Sequence, residues 1–469
     1  MSINGVKSHP YIPNSAPETE KEMLDYLGLT SLEELHTGIP ETLRLRENMN
    51  LPEAFESEYA LRRHIEGILK KNESCQENTC YLGAGCYPHY VPAICDEINS
   101  RSEFLTAYAG EPYNDHGRFQ SLFEYQSLMA ELLDMEVVNV PAMDGMQAAA
   151  TALRMAARVT GRTHILLPEA MDSDKKKVIY NYCSADLTFE EIPFDAATGT
   201  LKTEFLAEKL NADTAALYFD YPGYLGMLEN DPAALSKAAH DAGALCVVSV
   251  NPILLGVLEP PCHFGADIVC GDLQPLGMHM NYGGGQAGFI ATMDRKELVL
   301  EFPSRLFGIC PTRKPGEYGF GDVAYERTSF GHLRENAKEY VGTQAALWGI
   351  TAGVYLAAMG PQGMREIGET IFYHAHYAAQ EFSRLPKVKI RFAAPFFEEF
   401  VVDFTDTGRT VEEIAEELRR HHIFAGKNLK KEFPALGECA LWCVTELHTR
   451  EDIDCLMQIL RDFFAKEGK

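Results

Sequence analysis

Short apolar segments alternate with longer segments of helical character through the middle of the chain. Short runs rich in aliphatic and β-branched residues, bounded by polar or glycine-containing turns, are typical of buried strands. Strands that alternate with helices predict a mostly parallel sheet covered on both faces, and ligands of such sheets bind at the carboxyl ends of the strands. The predicted strands are residues 164–169, 178–194, 215–222, 244–252 and 266–272.

Helical periodicity is strongest in residues 117–135, where Leu122, Met129 and Leu133 recur on one face. A second helix rich in small residues follows Asp144 and Gly145. Asp144 is a good helix N-cap, and Gly145 would let a ligand approach the first free N–H groups. This turn therefore predicts a possible phosphate site, although many α/β turns share the pattern.

The two ends of the chain differ from this central part. Residues 54–71 have the pattern of an amphipathic helix, within a helical N-terminal arm. Residues 301–338 are rich in charge, glycine and proline and predict a long excursion of loops. A buried helix near Ala345 and a charged helix over residues 362–385 then lead to a smaller α/β unit. We predict an arm at 1–75, a large domain at 76–340, and a helical linker with a small domain at 341–469.

Composition narrows the possible partners. A hydrophobic fraction of 46% in 469 residues is enough for a sizeable core. The formal net charge of −26 disfavours nucleic acid and anionic membranes as partners. No secretory signal and no membrane-spanning run is recognisable, so a cytoplasmic protein with reduced thiols is expected. Four cysteines cluster in sequence, but their gaps exceed those of structural zinc pairs, and we predict no metal site: Cys75, Cys80, Cys86 and Cys95.

Residues 265–292 carry the candidate chemistry. They run from a buried strand through a polar loop and a glycine-rich turn into a second strand. This layout resembles the cofactor-lysine loop of fold-type-I pyridoxal-phosphate (PLP) enzymes, in which a lysine amine holds the cofactor as a Schiff base. Between Lys237 and Lys296 the chain has no lysine. The resemblance thus implies a cofactor-type scaffold without its covalent anchor.

Several separate segments resemble the alpha subunit (subunit 1) of the two-subunit glycine dehydrogenase (decarboxylating), the P-protein of the glycine cleavage system. The resemblance extends over nearly the whole chain and implies an α/β fold of the PLP-dependent transferase type I. The segments are HPYIPNSAPETEKEMLDYLGLTSLEEL, YLGAGCYPHYVPAI, VVSVNPILLGVLEPPCHFGADIVCGDLQPLGMHMNYGGGQAGF and HTREDIDCLMQIL.

The resemblance further implies a division of labour between two chains. A homologous beta subunit would carry the PLP and its lysine, and the two kinds of chain would form a heterotetramer. Leu276 or a neighbour would stand at the lysine position here. The complex would decarboxylate glycine and pass the aminomethyl group to the lipoyl arm of H-protein. No catalytic residue is then expected in this chain, which would be inactive alone.

Eight residues are candidates for the pocket or the subunit interface, and for each a purely structural role is an equally good interpretation. They are Tyr87, His89, Tyr108, Asp144, Gly145, Gln274, Gly283 and Gly284. Two other functions remain open from the residues alone. The chain could be a non-catalytic scaffold or regulator that kept the fold, or a self-contained PLP enzyme that uses another lysine such as Lys296 or Lys314.

Overall fold

A computed structural model describes residues 11, 14–44, 47, 49–105, 116–281, 283, 287–304, 306–323, 338–339 and 345–465. The chain divides into two compact units, Met1–Asn72 and Glu73–Lys469. The first division falls near the predicted end of the arm. The further division at residue 340 remains a prediction.

The first unit is helical, and its helices bury none of their own residues. It contains α1 (Pro17–Leu27), two 3-10 helices (Leu32–His36 and Glu41–Leu43) and α2 (Glu58–Leu69). The helix predicted from Ala54 begins four residues later, because the side chain of Ser57 accepts a hydrogen bond of 3.1 Å from Ala60 N and caps it.

A seven-stranded sheet organises the second unit, in the order β2-β8-β7-β6-β5-β3-β4. Neighbours from β4 to β7 are parallel, and β8 alone runs in the opposite direction, so that it pairs antiparallel with both β7 and β2. The predicted, mostly parallel sheet is confirmed. Its strands are β2 (Val137–Val138), β3 (His164–Pro168), β4 (Thr188–Ile192), β5 (Thr214–Tyr221), β6 (Leu245–Val250), β7 (Ile268–Asp272) and β8 (Gly288–Thr292), and β1 (Thr79–Cys80) lies outside it.

Helices cover both faces of this sheet, and alternate side chains of each strand enter different cores. Tyr218 of β5 packs in the core that contains α6, whereas Phe219 packs in the core that contains α5. The helices are α3 (Ala93–Asn99), α4 (Ser102–Leu105), α5 (His116–Leu133), α6 (Gly145–Thr160), α7 (Ser173–Cys183), α8 (Thr203–Lys209), α9 (Pro232–Asp241) and α10 (Lys296–Val299).

Two of the predicted boundaries are wrong. Residues 178–183, predicted as the start of a strand, belong to α7, whose buried positions Ile179 and Cys183 lie one helical turn apart. The segment predicted as loops from residue 301 contains an antiparallel hairpin, β9 (Phe307–Pro311) and β10 (Tyr318–Asp322). This hairpin forms because its phenylalanines find aromatic partners on α5, as in the contact of Phe320 with Phe123.

The remaining residues form a long helix and a small α/β region. In α11 (Ala346–Ser383) the non-helical backbone of Gly360, before Pro361, produces a kink between the two predicted helices. A four-stranded sheet has the order β11-β12-β15-β14. Its strands and the neighbouring elements are β11 (Lys389–Ile390), β12 (Glu399–Asp403), α12 (Val411–Arg419), β13 (Ile423–Phe424), β14 (Lys427–Asn428), β15 (Cys439–Cys443) and α13 (Arg450–Ala465).

A short pair of strands joins the beginning of the second unit to a strand near its C-terminal end. Strand β1 pairs in parallel with β13, so that Thr79 lies opposite Ile423. The segment that follows β1 therefore runs between the large sheet and the small one. Among the described helices, none is both long enough and apolar enough to cross a membrane.

Candidate functional site

A cavity of about 630 Å³ lies at the carboxyl ends of β5, β6 and β7. Asp220, Ser249 and Asp272, one from each strand end, line its floor. This is the edge at which parallel α/β sheets bind their ligands. The segment after β1 and the small sheet contribute the other walls, through Tyr87, Glu399 and Lys427.

The N-terminus of α6 faces this cavity, but carboxylates already accept its first hydrogen bonds. Asp144 caps the helix by accepting 2.7 Å from Gln147 N, and Asp272 Oδ2 accepts 2.9 Å from Gly145 N. A Cβ at residue 145 would lie 2.8 Å from Asp272 N, so only glycine permits this approach. Burial raises the pKa of Asp272 to about 6. An incoming phosphate would therefore compete with a carboxylate for the Gly145 amide.

Lys175 provides a partly buried cation beside this carboxylate-rich floor. Its Nζ atom lies 2.8 Å from Asp220 Oδ1, which also accepts 2.7 Å from the hydroxyl of Tyr218. Burial acts to lower the pKa of Lys175, but the Asp220 carboxylate outweighs it and holds the pKa above the ordinary value. The amine is thus a protonated ion-pair partner, whereas Schiff-base formation requires the neutral amine.

Gln274 holds the segment after β1 against the loop that follows β7. Its side-chain oxygen accepts 3.1 Å from Tyr87 N, while its amide donates to the carbonyls of Tyr87 (3.0 Å) and Met278 (3.1 Å). On the other side, Glu399 accepts 2.6 Å from Ala84 N and 3.2 Å from the Tyr87 hydroxyl. Burial raises the pKa of Glu399 to about 7. Tyr87 is therefore fixed through both its backbone and its side chain.

His89 lies behind the cavity, among carboxylates. Its Nδ1 is 2.9 Å from Glu446, and its Nε2 is 3.9 Å from Glu398, with the imidazole and Glu398 both almost fully buried. Burial acts to raise the pKa of Glu446, but the adjoining His89 outweighs it and holds the pKa below the ordinary value. Burial, followed by the charge of Glu399, raises the pKa of Glu398. His89 thus joins the segment after β1 to the small sheet, and it does not line the cavity.

The predicted site residues are only partly brought together. Tyr87, Gly145 and Gly283 line the cavity. Asp144 and Gln274 position its walls through the contacts above. Tyr108 and Gly284 lie outside the described residues.

The sequence predictions missed other residues of the cavity: Lys175, Asp220, Tyr224, Glu399 and Lys427. The position of Asp220 at a strand end was a usable signal. Glu399 and Lys427 carried none, because they belong to the small sheet and approach the cavity only through the tertiary fold.

The lining does not fit PLP bound covalently to this chain. The loop between β7 and β8 has no lysine, and Leu276 within it is fully buried. Of the two lysines that line the cavity, Lys175 pairs with Asp220, and Lys427 lies 3.0 Å from Glu432. Lys314 lies in the exposed hairpin turn. Neither it nor Lys296 is among the lining residues.

The charge of the lining side chains also argues against PLP in this cavity. Five acidic side chains line the cavity but only two lysines do, and this excess of negative charge would repel a phosphate group. The acidic residues are Asp172, Asp174, Asp220, Asp272 and Glu399.

Comparisons with known proteins agree over almost the full length. A family model described as glycine cleavage system P-protein matches residues 9–460. The chain is 38% identical over 465 residues to the probable glycine dehydrogenase (decarboxylating) subunit 1 of Staphylothermus marinus, covering 97% of this chain and 98% of that protein. It is also 38% identical over 457 residues to the protein of the same description from Carboxydothermus hydrogenoformans, covering 96% and 99%.

Solved structures show the same fold. A glycine decarboxylase (P-protein) of the glycine cleavage system, in inhibitor-bound form, superposes with a TM-score of 0.84 at 31% identity, covering 97% of this chain and 100% of that chain. Sphingosine-1-phosphate lyase from Burkholderia pseudomallei superposes with a TM-score of 0.63 at 15% identity, covering 90% and 93%, and shows the shared fold alone. The predicted fold class is confirmed.

Proposed function

This chain belongs to the glycine cleavage system P-protein family, and we propose that it is the subunit of a two-subunit glycine decarboxylase that does not hold the cofactor covalently. The observation that carries the proposal is the loop between β7 and β8, which has no lysine and buries Leu276. A homologous second subunit supplies the lysine and the PLP. The complex decarboxylates glycine and transfers the aminomethyl group to the lipoyl arm of H-protein.

Within this proposal the present chain contributes structure around a reaction that occurs on its partner. PLP supplies an electron sink for decarboxylation when it is bound by the second subunit. In this chain, Gln274 and Glu399 hold Tyr87 rigidly, and the Lys175–Asp220 pair fills the floor of the equivalent cavity. These contacts preorganise a surface next to the partner rather than a reactive group.

The N-terminal unit carries many large apolar side chains that its own helices do not bury. An apolar surface of this kind is typical of a protein interface. Its exposed members include Tyr26, Leu27, Leu35, Leu43, Leu51, Tyr59, Leu61, Ile65, Ile68 and Leu69.

Absorption spectroscopy and reconstitution test the division of labour. The purified chain with added PLP is expected to show no Schiff-base absorption that borohydride removes. Glycine-dependent release of carbon dioxide is expected only after addition of a lysine-bearing second subunit and H-protein. A reducible band in the isolated chain would refute the proposal, and its loss in Lys175→Met would identify the anchor. No activity with any second subunit would favour the scaffold function instead.

Introducing charges into the apolar face of α2 tests the arm as the docking surface. Leu61→Glu, Ile65→Glu and Ile68→Glu together place charges along one face of α2, at positions 45%, 44% and 50% exposed. Co-purification with the second subunit should be lost, while the melting temperature of the isolated chain changes little. Lys70→Glu with Lys71→Gln introduces the same change in charge at the polar end of α2 and should leave co-purification intact.

A further inference from the structure

Asp134, Cys262 and His263 form a cluster on the surface of the second unit. One potential ligand atom from each lies within 4.8 Å of the others. His263 Nε2 is 2.7 Å from Asp134 Oδ2, and Cys262 Sγ is 3.3 Å from the Asp134 carbonyl oxygen. Cys262 and His263 precede β7, whereas the cavity lies at its carboxyl end. The cluster is therefore at the opposite edge of the sheet from the cavity.

The backbone fixes the positions of these three side chains. Cys262 and His263 lie in a 3-10 helix, Pro261–Phe264, whose first residue is a proline and whose end is marked by the left-handed Gly265. Asp134 follows the last residue of α5 with a φ of +48°, and Met135 N donates 3.0 Å to Ala130 O across it. The 3-10 helix and the C-terminal end of α5 therefore both have a fixed backbone conformation.

The three donors suit a borderline divalent metal. Thiolate sulfur, imidazole nitrogen and carboxylate oxygen are the ligands that zinc takes in four-coordinate sites. The second ring nitrogen of His263, Nδ1, lies 3.9 Å from Oε2 of the exposed Glu259, which is within ion-pair range but longer than a hydrogen bond. A carboxylate behind the histidine is the usual outer partner of a metal-bound imidazole.

The surroundings also favour a cation. Cys262 Sγ lies 3.2 Å from the carbonyl oxygen of Leu133, the last residue of α5. The C-terminal end of a helix carries partial negative charge, which attracts positive ions. The contact between His263 and Asp134 already places a donor beside this negative charge, so a metal ion has to break that contact in order to bind.

We propose that Asp134, Cys262 and His263 bind one divalent transition metal ion of the zinc type, with water completing the coordination. Binding displaces the thiol proton of Cys262 to solvent, while His263 binds through Nε2 as a neutral imidazole that keeps its proton on Nδ1, and no oxidation is involved. The ion would tie the end of α5 to the turn before β7, two points 128 positions apart in the chain. It should therefore stabilise the folded chain by an amount that rises with the logarithm of the metal concentration once this exceeds the dissociation constant.

Equilibrium dialysis of the full chain against Zn²⁺ tests the site. One saturable ion per chain is expected, with a rise in melting temperature on binding. Cys262→Ser, His263→Ala and Asp134→Asn should each weaken binding by tenfold or more, and Glu259→Gln by severalfold. Because these side chains lie at or near the surface, the metal-free variants should melt close to the wild type.

A matched surface pair provides the control. His240 has the same side-chain exposure as His263, 42%, and lies 2.8 Å from Asp267. His240→Ala should leave Zn²⁺ binding unchanged. Equal losses in His240→Ala and His263→Ala would indicate weak surface binding and overturn the proposal.

Cobalt substitution reports directly on the thiolate. Co²⁺ bound to the chain should show a sulfur-to-cobalt charge-transfer band, which Cys262→Ser abolishes. Serine at three exposed cysteines, in a combined Cys75→Ser, Cys310→Ser and Cys455→Ser variant, should preserve the band. No saturable binding, or a band that disappears in the triple variant but survives Cys262→Ser, would overturn the proposal.

Discussion

The carboxylate of Asp272 accepts a hydrogen bond of 2.9 Å from the backbone N–H of Gly145. The Asp272 side chain, at the end of β7, thereby occupies the N-terminus of α6, where the sequence predicted a phosphate site. The same carboxylate accepts 2.8 Å from Gln274 N, so it also shapes the loop that clamps Tyr87. One buried acid thus joins the helix terminus to the Tyr87 segment.

The raised pKa of Asp272 predicts how stability depends on pH. Because its folded pKa of about 6 exceeds the ordinary 3.8, the native state binds more protons than the unfolded state between these values. The stability that the folded state gains from this bound proton is present at low pH and is lost as pH rises through 6. Asp272→Asn should therefore gain stability relative to the wild type between pH 4 and 7, by about 3 kcal/mol. Urea unfolding across this range measures it.

An exposed carboxylate supplies the control for that titration. Asp213→Asn, at a surface position, should leave the pH dependence of the free energy of unfolding unchanged. A constant difference between Asp272→Asn and the wild type from pH 4 to 7 would contradict the assignment.

Gly145→Ala should be strongly destabilising. The added Cβ would lie 2.8 Å from Asp272 N and 2.9 Å from Asp272 Cβ, and the backbone at the end of a central strand cannot give way easily. Overpacking of this kind costs about 1–3 kcal/mol. Gly321→Ala meets nothing within 4 Å and serves as the control. Comparable unfolding midpoints for the two variants would show that Gly145 and Asp272 are not in close contact.

Removal of one partner of the Lys175–Asp220 pair should cost more than removal of both. Their side chains are only 21% and 10% exposed. Lys175→Met leaves a largely buried, unpaired carboxylate and should destabilise by about 3 kcal/mol. Lys175→Met with Asp220→Asn should recover most of this loss, as a double-mutant cycle of unfolding free energies would measure. Strict additivity of the two changes would rule out a coupled pair.

Gln274→Leu should loosen the segment after β1. The substitution leaves the Tyr87 N–H and two carbonyls without their partner in a position only 2% exposed. The expected cost is about 2 kcal/mol, with faster amide hydrogen exchange in residues 84–90. Gln362→Leu, at an exposed helix position that pairs with Glu366, should change neither quantity. Unaltered exchange in Gln274→Leu would mean that the contacts with Glu399 and Glu446 are enough to hold the segment.

Features encoded within a few residues were predicted well. Asp144 caps α6 as expected, since an N-cap depends only on a side chain and the amides just after it. The prediction failed at residues 178–183, where a short apolar run fits either a strand or one face of a helix, and packing against α6 decides between them.

The sequence by itself determined the strand–helix alternation, the parallel sheet and the absence of a lysine between β7 and β8. These follow from periodicity and composition, which act locally along the chain. Only the tertiary structure decided that Asp272 would close the α6 terminus, that Lys175 would meet Asp220, and that Glu399 would reach Tyr87. Such contacts join residues far apart in the chain, and their distances depend on how helices pack on the large sheet and how the small sheet packs beside it, which no local pattern specifies.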